Sequence, residues 1–217
     1  MACIAVMDLR PVEQKFVFSK KGKSATLLCS FQGKYKSEYS IQIELVISYR
    51  SGVRPLKETA AWLEKEIAAG NLLRVTGAVR RMLYQDRKSG EEIDHIRLYA
   101  WDVCISAETD PIYSMIQMEG GVRKVSDSDI FKDTGTYRKV AFTLFCNPDT
   151  DFEQETYLSV YATGYNEVAD KVNRLNLKEK SHVIAHGKFE ATSFGLLGLK
   201  LYDLGYAKRP QTKKGEN

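Results

Sequence analysis

Tyr157 and Tyr161 lie four residues apart in the segment TYLSVYATGY, residues 156–165. Apolar residues alternate with polar or aromatic ones there, which predicts a β-strand with one buried face. Positions 158, 160 and 162 would face the core, and this leaves Tyr157 and Tyr161 on the opposite face. An exposed aromatic ring can stack on a planar ligand such as a nucleobase, or it can pack against another subunit. The sequence leaves both interpretations open.

Basic side chains accompany aromatic ones at several other places, a combination that suits a polyanion with planar groups. The net charge of +4 and the isoelectric point of about 8.7 are compatible with such a partner without identifying it. The candidate binding residues are Lys21, Lys23, Lys34, Tyr35, Lys36, Tyr39, Arg80, Arg81, Tyr84, Arg87, Lys88, Arg138, Lys139, Phe145, Tyr157, Tyr161, Lys188 and Phe194.

Catalytic and metal-binding patterns are missing from the sequence. It contains neither G-x-S-x-G nor the phosphate-binding G-x-x-x-x-G-K-[ST] pattern. His182 and His186 are close in sequence but His95 is remote, and no C-x-x-C pair occurs. We therefore predict a protein that is not an enzyme, with no metal, no cofactor and no small-molecule substrate.

The cellular compartment is suggested by what the chain does not contain. No apolar run is long enough for a membrane span, and the first residues lack the layout of a signal peptide. The four cysteines are far apart and are predicted to be buried small apolar residues in a reducing compartment: Cys3, Cys29, Cys104 and Cys146. We expect a cytoplasmic protein with no membrane partner.

Two similar segments, each with a glycine inside a strand pattern, reveal an internal repeat. Gly77 in LLRVTGAVRRMLY (72–84) corresponds to Gly187 in HVIAHGKFEATSF (182–194), and an aromatic residue follows each glycine by seven positions. Glycine weakens the interior of a strand, so it usually marks a bulge or a barrel corner. Both glycines are therefore predicted to have a structural role where a strand bends.

The same order of elements surrounds both glycines: three strands, a helix and two further strands. In the first half, Pro55 begins the helix and Gly70 ends it; in the second half, Asn166 is predicted to cap the helix. The predicted strands are 3–7, 24–32, 40–49, 72–84 and 96–105, then 113–118, 137–146, 156–165, 182–194 and 196–206. This order predicts a mainly β protein of two tandem OB-folds, which are five-stranded barrels with a helix between strands 3 and 4.

Domain boundaries follow from a polar segment, SAETDP, at residues 106–111. It divides the chain into a first OB-fold at 1–108 and a second at 109–208, each of ordinary domain size. Residues 209–217 are polar and basic, which predicts a disordered tail. Trp101, on the last strand of the first half, fits either the core or a groove, and the core is favoured.

Several short segments resemble the bacterial single-stranded DNA-binding (SSB) family. FVFSKKGKSATLLCSFQ is similar to the second strand of that family, and GAVRRMLY and GKFEATSF are similar to its fourth strand. A base-stacking tryptophan follows the fourth-strand glycine by seven residues in the family, and Tyr84 and Phe194 hold these places here. YLSVYATG resembles the third strand, where Tyr157 holds the place of another stacking tryptophan. The resemblance implies binding of single-stranded DNA without sequence preference, in replication, recombination or repair.

Two departures from the family affect what the resemblance implies about partners. Family members usually end in an acidic tail that recruits other proteins, whereas this chain ends in KKGEN. Most members carry one barrel and form tetramers, so two barrels per chain imply a homodimer with four OB-folds. We expect a cytoplasmic, nucleoid-associated protein, and both departures would suit a role in the transfer of a mobile element.

A second functional class remains open. Glu44 is predicted on the outer face of the third strand of the first half, which carries no aromatic residue. This favours the alternative of an OB-fold scaffold in a replication or DNA-transfer complex, with weak DNA or RNA binding. RNA uses the same kind of surface as single-stranded DNA, so the sequence does not exclude it.

Overall fold

The computed structural model describes residues 3–34, 36–49, 54–85, 90–132, 135–147, 155–193 and 196–207. The predicted binding residues Tyr35, Arg87, Lys88 and Phe194, and the predicted tail at 209–217, lie outside these residues. No helix in the described part of the chain is long and apolar enough to cross a membrane.

Each half contains the predicted order of strands and one helix, with a two-residue strand added. The first half consists of β1 (Cys3–Pro11), β2 (Val17–Phe18), β3 (Ser24–Phe31), β4 (Ile41–Ser48), α1 (Leu56–Ala68), β5 (Leu72–Gln85) and β6 (Glu92–Ser106). The second half consists of β7 (Ser114–Lys132), β8 (Gly135–Cys146), β9 (Glu155–Thr156), β10 (Leu158–Tyr165), α2 (Glu167–Arg174), β11 (His182–Ala191) and β12 (Leu197–Tyr206). The connection between β6 and β7 contains the proposed boundary at 108.

Hydrogen bonding closes each half into a barrel. In the first half, β1 pairs with β3, β3 with β4, β4 with β6 in parallel, β6 with β5, and β5 with β1. The second half repeats this circuit through β7, β8, β10, β12 and β11, with β10 and β12 parallel. Two tandem OB-folds are therefore present, as predicted.

The two barrels join through their first strands, so that one continuous sheet runs through both. β1 and β7 pair antiparallel, with Ala5 opposite Ile116. Ala5 also pairs with Gly77, and Ile116 pairs with Gly187. Because these equivalent residues face each other, the halves are related by a local two-fold axis that passes near the Ala5–Ile116 pair.

Connections from each half also reach across to the other. The segment after β3 packs on β11, where the Ala191 amide donates to the Gln32 carbonyl at 2.9 Å. In the reverse direction, β9 pairs with β5 at Thr156 and Arg81. These reciprocal contacts and a shared apolar core, which includes the fully buried Phe31, Phe142 and Phe189, hold the two barrels together.

The two repeat glycines lie at β-bulges, which confirms their predicted structural role. The β5–β6 register shifts between Thr76 and Gly77, and the β11–β12 register shifts between His186 and Gly187. A Cβ atom on Gly77 would overlap the carbonyl oxygen of Tyr99. Only glycine therefore allows the neighbouring strand to approach this closely.

Several local predictions were wrong. Trp101 is 50% exposed because the bulge opposite Gly77 turns both Trp101 and Asp102 outward. Cys104 is exposed because alternation resumes after the bulge with the buried Val103, whereas the other three cysteines are buried as predicted. Asn166 has a φ of 49° and makes no side-chain capping hydrogen bond, so it does not cap α2 in the predicted way.

Candidate nucleic-acid interface

A row of tyrosines runs along the outer face of β10. Tyr157 just before the strand, Tyr161 within it and Tyr165 at its end are exposed by 55%, 50% and 36%. Four residues of extended chain separate neighbouring rings by about 13 Å. The alternating positions are buried as predicted: Leu158, Val160 and Ala162. Strand alternation thus presents the rings to solvent from a rigid barrel wall.

The strands on both sides of β10 place lysines next to these rings. Lys139 of β8 lies opposite Tyr165, and Thr143 lies opposite Tyr161. On the other side, parallel pairing brings the exposed Lys200 of β12 opposite Thr163, one pleat from Tyr161. We call this surface the tyrosine platform: Lys139, Thr143, Tyr161, Tyr165 and Lys200. Its rings can stack on planar groups while its ammonium groups attract phosphates.

The tyrosine platform lines a groove of about 1270 Å³ to which both halves contribute residues. All five platform residues line it, and its lining also includes Arg81, Asp94 and His95 from the β5–β6 hairpin. Lys34, from the segment between β3 and β4, also lines the groove. The groove therefore combines side chains from both barrels, since the connections between the halves bring them together.

Several of the predicted basic residues form ion pairs with carboxylates. Arg81 donates two hydrogen bonds to Asp94, at 2.8 and 2.6 Å, and these hydrogen bonds lower the pKa of the Asp94 carboxyl. The Lys34 ammonium lies 3.0 Å from Glu190, while Lys188 donates to the Gly33 carbonyl at 3.3 Å. A phosphate that binds these cations must compete with neighbours already in place.

Phe145 and Arg138 lie on β8 outside the core. The Arg123 guanidinium lies 4.7 Å from the centre of the Phe145 ring, so one face of this predicted stacking residue is already covered by a cation. Arg138 pairs with Asp170 of α2 at 3.1 Å.

The remaining described candidates of the first half lie apart from the platform. Lys21, Lys23, Lys36 and Tyr39 are exposed but do not line the groove. Tyr84 makes an edge contact with His95, with ring centres 5.9 Å apart. The Nη1 atom of Arg80 is buried, so this end of its guanidinium is not presented to solvent.

Outer-face residues of the first half form an ion-pair cluster instead of an aromatic surface. Glu44 of β4 accepts hydrogen bonds from Arg97 and from the Nε2 atom of His95, the latter at 2.9 Å. Burial raises the pKa of the Glu44 carboxyl, but the hydrogen bonds from His95 and Arg97 outweigh burial and leave it below its usual value. Glu44 is therefore ionised at neutral pH.

Sequence reasoning did not identify Tyr165, Lys200 or Arg123 as site residues. Tyr165 follows Tyr161 by four positions, so the same alternation that exposed Tyr161 could have identified it. Lys200 becomes a neighbour of Tyr161 only through the parallel pairing of β10 with β12, for which the sequence carries no local signal.

The sequence matches no protein-family model and no curated protein. The structure, in contrast, is similar to solved structures along nearly its whole length. A deletion variant of the single-stranded DNA-binding protein from Thermus aquaticus is 13% identical, with 99% of this chain and 98% of that chain covered and a TM-score of 0.58. The wild-type Thermus aquaticus protein is 12% identical, with 99% and 97% covered and a TM-score of 0.57.

This comparison defines the class of fold. The chain has the tandem OB-fold architecture seen in a bacterial single-stranded DNA-binding protein, and the predicted resemblance in fold is confirmed. At 13% identity the likeness establishes the architecture. The activity depends on the chain's own residues.

Proposed function

We propose that this protein binds single-stranded DNA without sequence preference. The exposure of Tyr161 and Tyr165 beside lysines, in a groove between the barrels, is the observation that carries the proposal. Each base stacked on an aromatic side chain contributes about 1–3 kcal/mol, and every base offers a flat face. The fold shared with the Thermus aquaticus single-stranded DNA-binding protein supports the same conclusion.

We propose that this binding serves processes that expose unpaired strands. A protein that stacks any base can coat unpaired strands wherever they arise, in replication, recombination, repair or the transfer of a mobile element. We therefore propose a cytoplasmic, nucleoid-associated binding protein rather than an enzyme.

Titration with oligo-dT tests the proposal directly. Tyrosine fluorescence should be quenched as the oligonucleotide stacks on the platform, and binding should weaken steeply with added salt because phosphate contacts release counterions. For single strands the slope of log K against log salt is about −0.7 per phosphate contact. Lys139→Ala and Lys200→Ala should each make this slope less steep by about 0.7. Absence of quenching at low salt and micromolar protein would exclude the proposal.

A scaffold with weak DNA or RNA binding is the second candidate function. The Glu44 cluster favours it, since a fixed carboxylate on the outer face of a barrel opposes phosphate binding. A scaffold in which the tyrosines pack on another protein would lose assembly rather than DNA affinity when they are replaced. Competition between matched DNA and RNA oligomers separates the two nucleic acids.

We further propose that two chains form a homodimer with four barrels. The outer face of the sheet around β1 and β7 exposes Met115 at its centre, with Trp101 towards one side and Tyr202 towards the other. Tyr202 is 48% exposed and lies at the bulge opposite Gly187, as Trp101 does opposite Gly77. Because the local two-fold axis between the halves passes through this face, the face suits an isologous contact with a second copy.

Sedimentation equilibrium tests the homodimer. We expect twice the mass of the 24.6-kDa chain for the wild type and the mass of one chain for Met115→Glu, because a charge would be buried at the contact. The variant should retain the tyrosine platform, so oligo-dT quenching serves as its control. A wild-type mass of one chain would contradict the proposal.

A further inference from the structure

We propose that each chain carries one base-stacking platform, on the second barrel, while the first barrel serves as a wall of the same groove. This inference rests on the proposed function and answers which barrel stacks bases. It follows from a comparison of equivalent positions in the two halves and from the origin of the residues that line the groove.

The bulges give an exact correspondence between the last strands of the two barrels. Gly77 lies opposite Ala100, and Gly187 lies opposite Leu201. Since each bulge is the same feature in its barrel, Ala100 and Leu201 are equivalent. Residues at the same distance from Ala100 on β6 and from Leu201 on β12 are therefore equivalent.

Three residues before these markers, Arg97 and Gly198 occupy equivalent places. The parallel pairings then align the third strands, because Arg97 lies opposite Glu44 and Gly198 lies opposite Tyr161. Glu44 thus occupies the position of Tyr161. Where the second barrel presents a ring beside a glycine, the first presents an ion pair.

The ion pair closes the equivalent surface to stacking. Glu44 is held by Arg97 and His95 and stays charged, so a base placed there would meet a carboxylate in place of a ring. On one side of β4, the outer positions of β3 are small, polar or aliphatic: Ser24, Thr26, Leu28 and Ser30. The equivalent positions on β8 of the second barrel include Lys139, Thr143 and Phe145. On the other side of β4, β6 carries Tyr99 at the place of Lys200, but this ring is only partly exposed and its hydroxyl contacts the Met82 sulfur at 3.9 Å.

The first barrel instead contributes residues to the groove that the tyrosine platform lines. Its β5–β6 hairpin brings Arg81, Asp94 and His95 into the lining, and β9 of the second half pairs with this hairpin at Arg81. The Arg81–Asp94 pair is bidentate, so it fixes the orientation of that wall. One barrel therefore stacks the bases while the other shapes their path.

Binding stoichiometry tests the inference. A short oligonucleotide, about dT8, lies within the roughly 4–16 nucleotides that one OB-fold occupies. Isothermal titration at low salt should give one dT8 per chain. Two dT8 per chain would overturn the inference, whereas no binding at all would overturn the proposed function instead, so the two failures are distinguishable.

A matched pair of variants identifies the barrel that binds. Thr143 lies opposite Tyr161, and Leu28 lies opposite Glu44, so these two residues are equivalent. Thr143→Glu should weaken dT8 binding about 100-fold or more by placing a carboxylate beside the ring. Leu28→Glu should leave the stoichiometry at one dT8 per chain and change the affinity by about twofold at most, because a scaffold barrel has no bound base to lose. Circular dichroism confirms that both variants fold, and a comparable loss in Leu28→Glu would contradict the inference.

Discussion

Alanine at both Tyr161 and Tyr165 is expected to weaken oligo-dT binding by about 30-fold to about 20,000-fold. The physical reason is the loss of two stacking surfaces, each contributing about 1–3 kcal/mol per base. Both side chains point to solvent from a closed barrel, so their removal should leave the core intact. Fluorescence anisotropy of labelled oligo-dT at fixed salt measures the change in dissociation constant.

Tyr49→Ala provides the control for this double substitution. Tyr49 is 62% exposed and follows β4 in the first barrel, but it does not line the groove. Its replacement should change the dissociation constant by about twofold at most, as expected for a residue away from the contact. Equal losses in the control and the double variant would show that stacking on the platform is not the source of affinity.

Gly187→Ala is expected to reduce the free energy of unfolding by about 3 kcal/mol or more. A Cβ atom at this position would overlap the Lys200 carbonyl oxygen, and a strand backbone held on both sides cannot move away cheaply. Marginal stability makes such a loss visible as a lower midpoint in urea.

Gly205→Ala is the matched control on the neighbouring strand. Gly205 lies opposite Ile184 in the same hairpin, and a Cβ atom built on it meets nothing within 4 Å. We expect a change within about 0.5 kcal/mol. If Gly187→Ala unfolded at the same urea concentration as this control, the close approach of β11 and β12 would not be what requires glycine.

Much of the fold could be predicted from local patterns. The two-residue alternation correctly assigned the buried and exposed faces of β10, because side chains of a strand alternate between the core and solvent. It failed where a bulge interrupts the period, as at Trp101. It also failed at Val46, which alternation places on the same face as Glu44 but which is buried at 7% exposure. The spacing of residues within β6 does not show that a bulge forms there, because the glycine that causes it lies on β5.

The candidate site was predicted less completely than the fold. Tyr157 and Tyr161 were found because alternation exposes them, and Lys139 was found as one of the basic residues in a strand pattern that also carries Phe145. The sequence indicated the charge of Arg81 but not its bidentate contact with Asp94. Residues far apart in the sequence become neighbours through the register between paired strands, and this register depends on the whole barrel.

The sequence by itself determined the repeated order of strands and helix, the two bulge glycines and the outward direction of the tyrosines. Each of these depends on residues close together in the chain. Only the tertiary structure decided that Tyr161 lies beside Gly198 whereas Glu44 lies beside Arg97, and that both barrels line one groove. The reason is physical: alternation chooses the face of a strand, but closure of the barrel and the β1–β7 pairing choose its neighbours.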